Sequence, residues 1–353
     1  MMFETSNSFE IPRAAAQRIG SFLISPQRLA PTQNINNYWL NRRWALNFTL
    51  EPGAIVIRGD SNLSTRITPR DYERLSHLRF FPGLVLAARF VRRLCSWIAG
   101  RADRVVQLAQ VKQRIALGAA SRAHLLTSAS PELASDIKHR LKKSPFEEIS
   151  KGWPERASLM AEALNVILRY APNSSASGLR VLEIGSGPAI LAGLMGHCLR
   201  SRHVLIDLPE QIVVGFSMLC EFFPEQKILL PNEVVAFESL PHDPDIVFLT
   251  PEQTECLEGE RFDVAVNMFS FGEMSYETIG EYFALIRRTL KPGGIFYCAN
   301  RVSKFNPHDG TTSDFDRYPW SDGDSFLFVR DMAHVFGANR GHRECVVRMA
   351  TAV

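Results

Sequence analysis

The segment that most constrains this chain is Val181-Leu182-Glu183-Ile184-Gly185-Ser186-Gly187-Pro188, followed by His203-Val204-Leu205-Ile206-Asp207-Leu208-Pro209. An apolar strand runs into a glycine turn and then a helix. A second apolar strand ends on a carboxylate. Strands and helices that alternate in this way build parallel α/β units. The pattern predicts strands at about 180–184, 203–206, 245–249, 262–267 and 295–299. It places helices at about 188–199, from Pro209 to Phe223, and from Tyr276 to Leu290, with Ser275 as a cap and Lys291-Pro292-Gly293-Gly294 as a stop. Lys227–Phe237 reads as an insertion or a small extra strand. Ser325–Val329 and Glu344–Met349 can supply a final antiparallel pair.

At 353 residues the chain has room for two domains, and 46% apolar residues are enough for a real core. The first half reads as helical. Phe90, Leu94, Trp97 and Ile98 form one amphipathic stripe, and Val105, Leu108, Val111 and Ile115 form another. Residues 1 to about 75 show no deciding periodicity. The expected division is a mainly helical domain over 1–143 and an α/β domain over 144–353. The expected fold is a Rossmann-like seven-stranded sheet with that helical domain at its N-terminus.

Forty basic and 37 acidic residues give a formal charge of +3, too balanced to argue for nucleic acid. Basic residues do gather at Arg89, Arg92, Arg93, Arg101, Arg104, Lys112 and Arg114. They read either as a solvated helix face or as a surface for phosphates or a membrane. The same arginines break the most apolar stretch, Phe80–Gly100, so it does not read as a membrane span. The opening MMFETSNSFEIPR lacks the basic start and apolar run of a signal peptide. Six scattered cysteines with no CxxC pair read as buried thiols in a reducing compartment, and no cysteine or histidine spacing suits a metal. A cytoplasmic location is the expectation.

The glycine turn carries the chemistry. Gly185 and Gly187 allow a tight turn and close approach of a ligand to the backbone. The following helix aims its free N–H groups at the same place. A dinucleotide enzyme would hold a pyrophosphate there. Here the third glycine of that fingerprint falls on Ile190, and an acid, Glu183, sits two residues before Gly185. Those departures favour S-adenosylmethionine, whose amino acid end needs a carboxylate for its amine. Asp207, 24 residues beyond Glu183 (207 − 183), stands where ribose hydroxyls would be accepted.

These residues resemble the class I S-adenosylmethionine-dependent methyltransferases. Glu183, Gly185 and Gly187 form the acid-x-Gly-x-Gly motif, with Ala189 where a third glycine is usual. Ile206-Asp207-Leu208-Pro209-Glu210, the run Phe262–Met274 ending Ser270-Phe271-Gly272-Glu273-Met274, and Ala299-Asn300-Arg301 look like the sugar O-methyltransferase family. The resemblance covers about 144–301. It implies methyl transfer to a hydroxyl of a sugar or glycoconjugate. It makes Glu183, Gly185, Gly187 and Asp207 donor contacts, and Asn267 a residue at the donor's methionine end; Ser186 and Leu208, their chain neighbours, are further candidates for the donor site.

An alcohol needs a base. Glu273, just past the fourth strand, is the candidate, against a plain role in anchoring its loop or capping the next helix. Arg301 is the candidate for an anionic group on the acceptor, against an exposed salt bridge. His242 and His308 are lesser candidates for the base. Thr250, Glu252 and Gln253 lie where adenine would sit. O-methyltransferases of phenolic natural products share the Asp-Leu-Pro run but use a histidine after the fourth strand, and Phe269–Met274 holds none. A base-modifying enzyme would carry Asn/Asp-Pro-Pro-aromatic there, and Asn267 is followed by Met268-Phe269. Another small-molecule methyltransferase, a binding protein that lost the chemistry, and a nicotinamide oxidoreductase are the rivals.

Overall fold

The computed structural model describes residues 5–29, 47–51, 54–59, 149, 154–171, 178–234, 244–305, 310–332 and 341–350. The expected helices across 89–115, and His242 and His308, lie outside these residues. Contacts group the chain into two compact units, Met1–Leu63 with Ala163–Val353, and Ser64–Glu162.

In the first unit, β1 (Thr5–Glu10), α1 (Arg13–Leu23) and α2 (Pro26–Leu29) are followed by β2 (Asn47–Glu51) and β3 (Ala54–Gly59). The strands form an antiparallel sheet in the order β1-β3-β2. Over the residues described, the opening segment mixes strands with helices, and the rest of the expected 1–143 helical domain lies outside them. The run Ala-Ile-Val-Ile-Arg buries Ile55 and Ile57 on alternate positions, as a half-buried strand does.

The helix α3 (Pro154–Tyr170) leads into the main sheet. The chain continues β4 (Arg180–Ile184), α4 (Ile190–Leu199), β5 (Arg202–Ile206), α5 (Pro209–Phe222), β6 (Ile228–Leu229), α6 (Pro231–Val234) and β7 (Ile246–Leu249). It ends with β8 (Phe262–Met268), α7 (Tyr276–Thr289), β9 (Leu290–Arg301), β10 (Ser303–Phe305), β11 (Thr312–Asp314), β12 (Ser325–Asp331) and β13 (His342–Arg348). The sheet order is β12-β13-β9-β8-β4-β5-β7-β6. From β9 to β6 every pairing is parallel, and β13 runs antiparallel to both β9 and β12. The expected mixed α/β architecture and the antiparallel tail are both present. Among the described residues the main sheet has eight strands where seven were expected, the short segment Ile228–Leu229 pairing with the edge of β7.

Several boundaries differ from the sequence reading, two of them for a clear backbone reason. α4 begins at Ile190, not Pro188. Gly185, Gly187 and Ala189 all have positive φ (72°, 51° and 55°), so 185–189 is spent on the turn and Pro188 stays inside it. The segment Lys291–Gly294 does not lie outside the fifth strand. β9 is continuous from Leu290, and its register against β8 shifts between Phe262 and Val264, so the extra residues form a bulge.

One sheet face packs Leu182, Ile184, Val204, Ala265 and Phe296 against Ile279, Phe283 and Ile286 of α7. α4 and α5 bury Leu191, Leu194, Met195, Val213, Phe216 and Leu219. α1 is tied to this body by Arg18, whose guanidinium donates to both oxygens of Glu233 (2.7 and 2.6 Å) and to the Ile228 carbonyl (2.5 Å).

Candidate functional site

Open parallel sheets expose the carboxyl ends of their strands, where loops diverge and leave a crevice. β4 and β5 are adjacent and in register, Ile184 opposite Ile206, so Glu183 and Asp207 come from neighbouring strand ends. Glu183 is buried at 3% exposure, and its Oε2 has no hydrogen-bond partner. Burial, and then the nearby Asp207 charge, push its carboxyl up to about 8. The acid is therefore neutral at pH 7 until a partner for its charge arrives.

Asp207 is half-buried and folds back onto the glycine turn. Its Oδ2 accepts from the Gly187 N–H (2.6 Å) and the Ser186 hydroxyl (3.4 Å), and its Oδ1 accepts from the Leu208 N–H (2.8 Å). Burial raises Asp207 to about 6 against the pull of those donors, and the charge of Glu273 adds to the rise. Each carboxylate oxygen can accept more than one bond, so this clamp leaves capacity for a hydroxyl. Gly185 and Gly187 take up the left-handed backbone that the turn demands, and Gly185 donates its N–H to the Ile206 carbonyl (2.8 Å). α5 lies close behind. A Cβ on Gly215 would stand 2.8 Å from the Gly187 carbonyl.

The remaining expected site residues are distributed around this turn. Leu208 is the residue before α5. Asn267, next to last in β8, is wholly buried, and its side chain bonds Ile184 O (3.0 Å), Ser270 Oγ (2.5 Å) and Asn300 Nδ2 (2.8 Å). Glu273 closes a short 3-10 turn over Phe271–Glu273, and its Oε1 accepts from Lys304 Nζ (2.7 Å). Arg301 is exposed at the end of β9. Thr250 and Gln253 bond each other: the Thr250 N–H donates to Gln253 Oε1 (3.0 Å). The Gln253 amide donates on to the Pro231 carbonyl (3.0 Å), and Glu252 is exposed.

Lys304 and Ser270 escaped the sequence reading. Lys304 lies 31 positions from the acid it pairs with, and Ser270 acts through a side chain packed against a turn 85 positions earlier (270 − 185). No local spacing signals either contact. Among the described residues, Cys198, Cys298 and Cys345 are buried thiols, no group of three or more histidine, cysteine or acidic side chains could hold a metal, and no helix is long and apolar enough to cross a membrane.

Acidic side chains predominate around the glycine turn. Glu183, Asp207 and Glu273 influence one another electrostatically in sequence. The Gly187 N–H that would greet a phosphate is already satisfied by Asp207. A pyrophosphate would meet carboxylates there, whereas the ammonium and sulfonium of S-adenosylmethionine would neutralise them. A buried carboxyl with one unpartnered oxygen beside a glycine turn fits that amine.

No family model and no curated protein matches the chain. Similar solved structures include a Galdieria sulphuraria protein assigned as a sarcosine dimethylglycine methyltransferase (12% identity, 59% of this chain and 92% of that one, TM-score 0.39). Others are the glycopeptide N-methyltransferase MtfA in complex with S-adenosyl-L-methionine (15%, 54% and 94%, TM-score 0.37) and TrmN from Thermus thermophilus (15%, 54% and 49%, TM-score 0.36).

Proposed function

We propose that this chain is an S-adenosylmethionine-dependent methyltransferase that acts on a hydroxyl of a sugar or glycoconjugate. The observation that carries the donor assignment is the buried Glu183 carboxyl, whose Oε2 has no partner, beside Asp207 near the ends of two adjacent parallel strands. Glu183 receives the donor's ammonium, and Asp207, fixed by the Gly187 and Leu208 N–H groups, accepts from the ribose. Gly185, Ser186, Gly187 and Leu208 form the floor of that site. Asn267 sets its geometry from beneath. When bound, the donor supplies an electrophilic methyl carbon on sulfur. The resemblance to sugar O-methyltransferases supports the acceptor class, with Arg301 as its anchor.

Methyl transfer is a displacement in line with the breaking C–S bond, so alignment dominates, at effective molarities of about 10⁵ M or more. Glu273 takes the hydroxyl proton as the oxygen attacks, and a positioned base contributes roughly 10²–10⁴-fold. Lys304 orients that carboxylate through Oε1. The same ion pair favours one rival, a protein that binds the donor without chemistry.

Calorimetric titration with S-adenosylhomocysteine tests the donor site: micromolar or tighter binding is expected, and no binding well above that range contradicts it. Glu273→Gln should keep that affinity and abolish transfer of labelled methyl from the donor to a panel of methyl glycosides. Wild-type transfer to none of them would favour the binding-only reading.

A further inference from the structure

Three polar side chains knit together the ends of β4, β8 and β9. Asn267 Nδ2 donates to the Ile184 carbonyl (3.0 Å) and to Ser270 Oγ (2.5 Å), and Ser270 Oγ reaches the same carbonyl (3.3 Å). Asn300 Nδ2 donates to Asn267 Oδ1 (2.8 Å) and to Cys298 Sγ (3.3 Å). Asn267 and Asn300 are both fully buried. Amides in such a place cost free energy unless they are bonded; here each side-chain amide atom except Asn300 Oδ1 has a partner, which favours one arrangement. Phe269, between Asn267 and Ser270, has φ +63°, a strained value for a non-glycine residue. Its N–H donates to the Ala299 carbonyl (2.8 Å), and its ring meets His342 edge-on at 5.4 Å. Strain of this kind persists only where the surroundings over-determine it.

The network ends at the residues that matter for the donor. Ile184 directly precedes Gly185, and a Cβ added to Gly185 would stand 2.2 Å from Ser270 Oγ. Ser270 opens the turn that carries Glu273, its carbonyl accepting the Glu273 N–H (2.9 Å). Asn300 stands beside Arg301.

We infer that Ser270 and Asn300 are positioning residues that act through Asn267 and the Ile184 carbonyl to hold the glycine turn in its donor-binding shape, an inference that rests on the donor reading above. The direction of the amide relay is essential: Asn300 donates, and Asn267 accepts with its oxygen. An ionised aspartate at 300 has no donor and would set oxygen against oxygen. A protonated aspartate regains one O–H.

The test is titration of the full chain with S-adenosylhomocysteine, each variant compared with wild type at the same pH. Ser270→Ala loses one oxygen and should weaken binding ~10-fold or more. Asn300→Asp should weaken it ~10-fold at about pH 8 and return to within ~3-fold at about pH 5.5, because burial favours protonation there. Circular dichroism confirms that each variant is folded, and Ser270→Ala decides the matter should Asn300→Asp fail to fold. Binding by Ser270→Ala within ~2-fold of wild type, or an Asn300→Asp deficit unaltered by pH, overturns the inference while leaving the donor site intact. A wild-type protein that does not bind removes the donor reading as well.

Discussion

Replacing Glu183 by Gln should stabilise the ligand-free protein in alkali while destroying its capacity to bind the donor. The carboxyl is 3% exposed, with one oxygen lacking any partner, and is pushed up to about 8 by burial and Asp207. In the unfolded chain the same group titrates near ~4.3. Between those values the native state holds a proton that the unfolded state has released. Stability from this site is thus complete below ~4.3, declines as pH rises, and is gone above about 8. Each pH step within that window costs ~1.4 kcal/mol. From pH 6 to pH 9 the wild type crosses about two such steps before it saturates, which amounts to roughly 2–3 kcal/mol. Gln matches the neutral acid in shape and never ionises, so the variant should gain that amount relative to wild type over the same interval. Urea unfolding of both proteins at the two pH values measures it. A difference between them that is flat with pH would refute the reasoning. The ligand side gives an independent check. Because burial keeps Glu183 protonated at neutral pH, donor binding at pH 7 should release a proton, read by calorimetry in buffers of different ionisation heat.

Gly185→Ala should destabilise the fold by about 1–3 kcal/mol and cut affinity for S-adenosylhomocysteine sharply, since φ is +72° and the new Cβ would fall 2.2 Å from Ser270 Oγ. A melting temperature unchanged from wild type would contradict that geometry. Far from the site, Asp324 accepts from Arg287 Nη1 and Nη2 (2.6 and 2.7 Å) and from the Ser321 and Ala350 N–H groups (2.9 Å each). Burial alone would raise Asp324, but Arg287 and those N–H groups hold it to about 2, so its contribution is present at neutral pH and fades as pH falls from ~4 towards 2. Asp324→Asn should lower thermal stability at pH 7 by about 1–3 kcal/mol, with a smaller loss at pH 3; an equal loss at both would contradict the ion pair.

The alternation of strands and helices was legible because each parallel strand is a short apolar run and each helix carries a matching apolar stripe. The glycine turn was legible as a turn, but not in its extent. Three positive-φ residues in five, one of them Ala189, delay the helix by two positions, and nothing in Pro188-Ala189 announces it. β9 absorbs Lys291-Pro292-Gly293-Gly294 because its partner β8 fixes the register, a long-range constraint. The acids 183 and 207 were legible as a pair. The occupation of Asp207 by the turn's own N–H groups was not, since it depends on how closely β4 and β5 approach. Asn267 read as a ligand contact, yet its amide binds three protein partners across two neighbouring strands and the Ser270 turn. A buried side-chain network of that kind has no signature in spacing.

A crystal structure with S-adenosylhomocysteine bears most directly on the donor site. The ammonium should lie within hydrogen-bonding distance of Glu183 and the ribose hydroxyls within the same reach of Asp207, with the glycine turn unchanged. A ligand lodged elsewhere, or one whose ribose and amine both avoid these two carboxylates, would contradict the account.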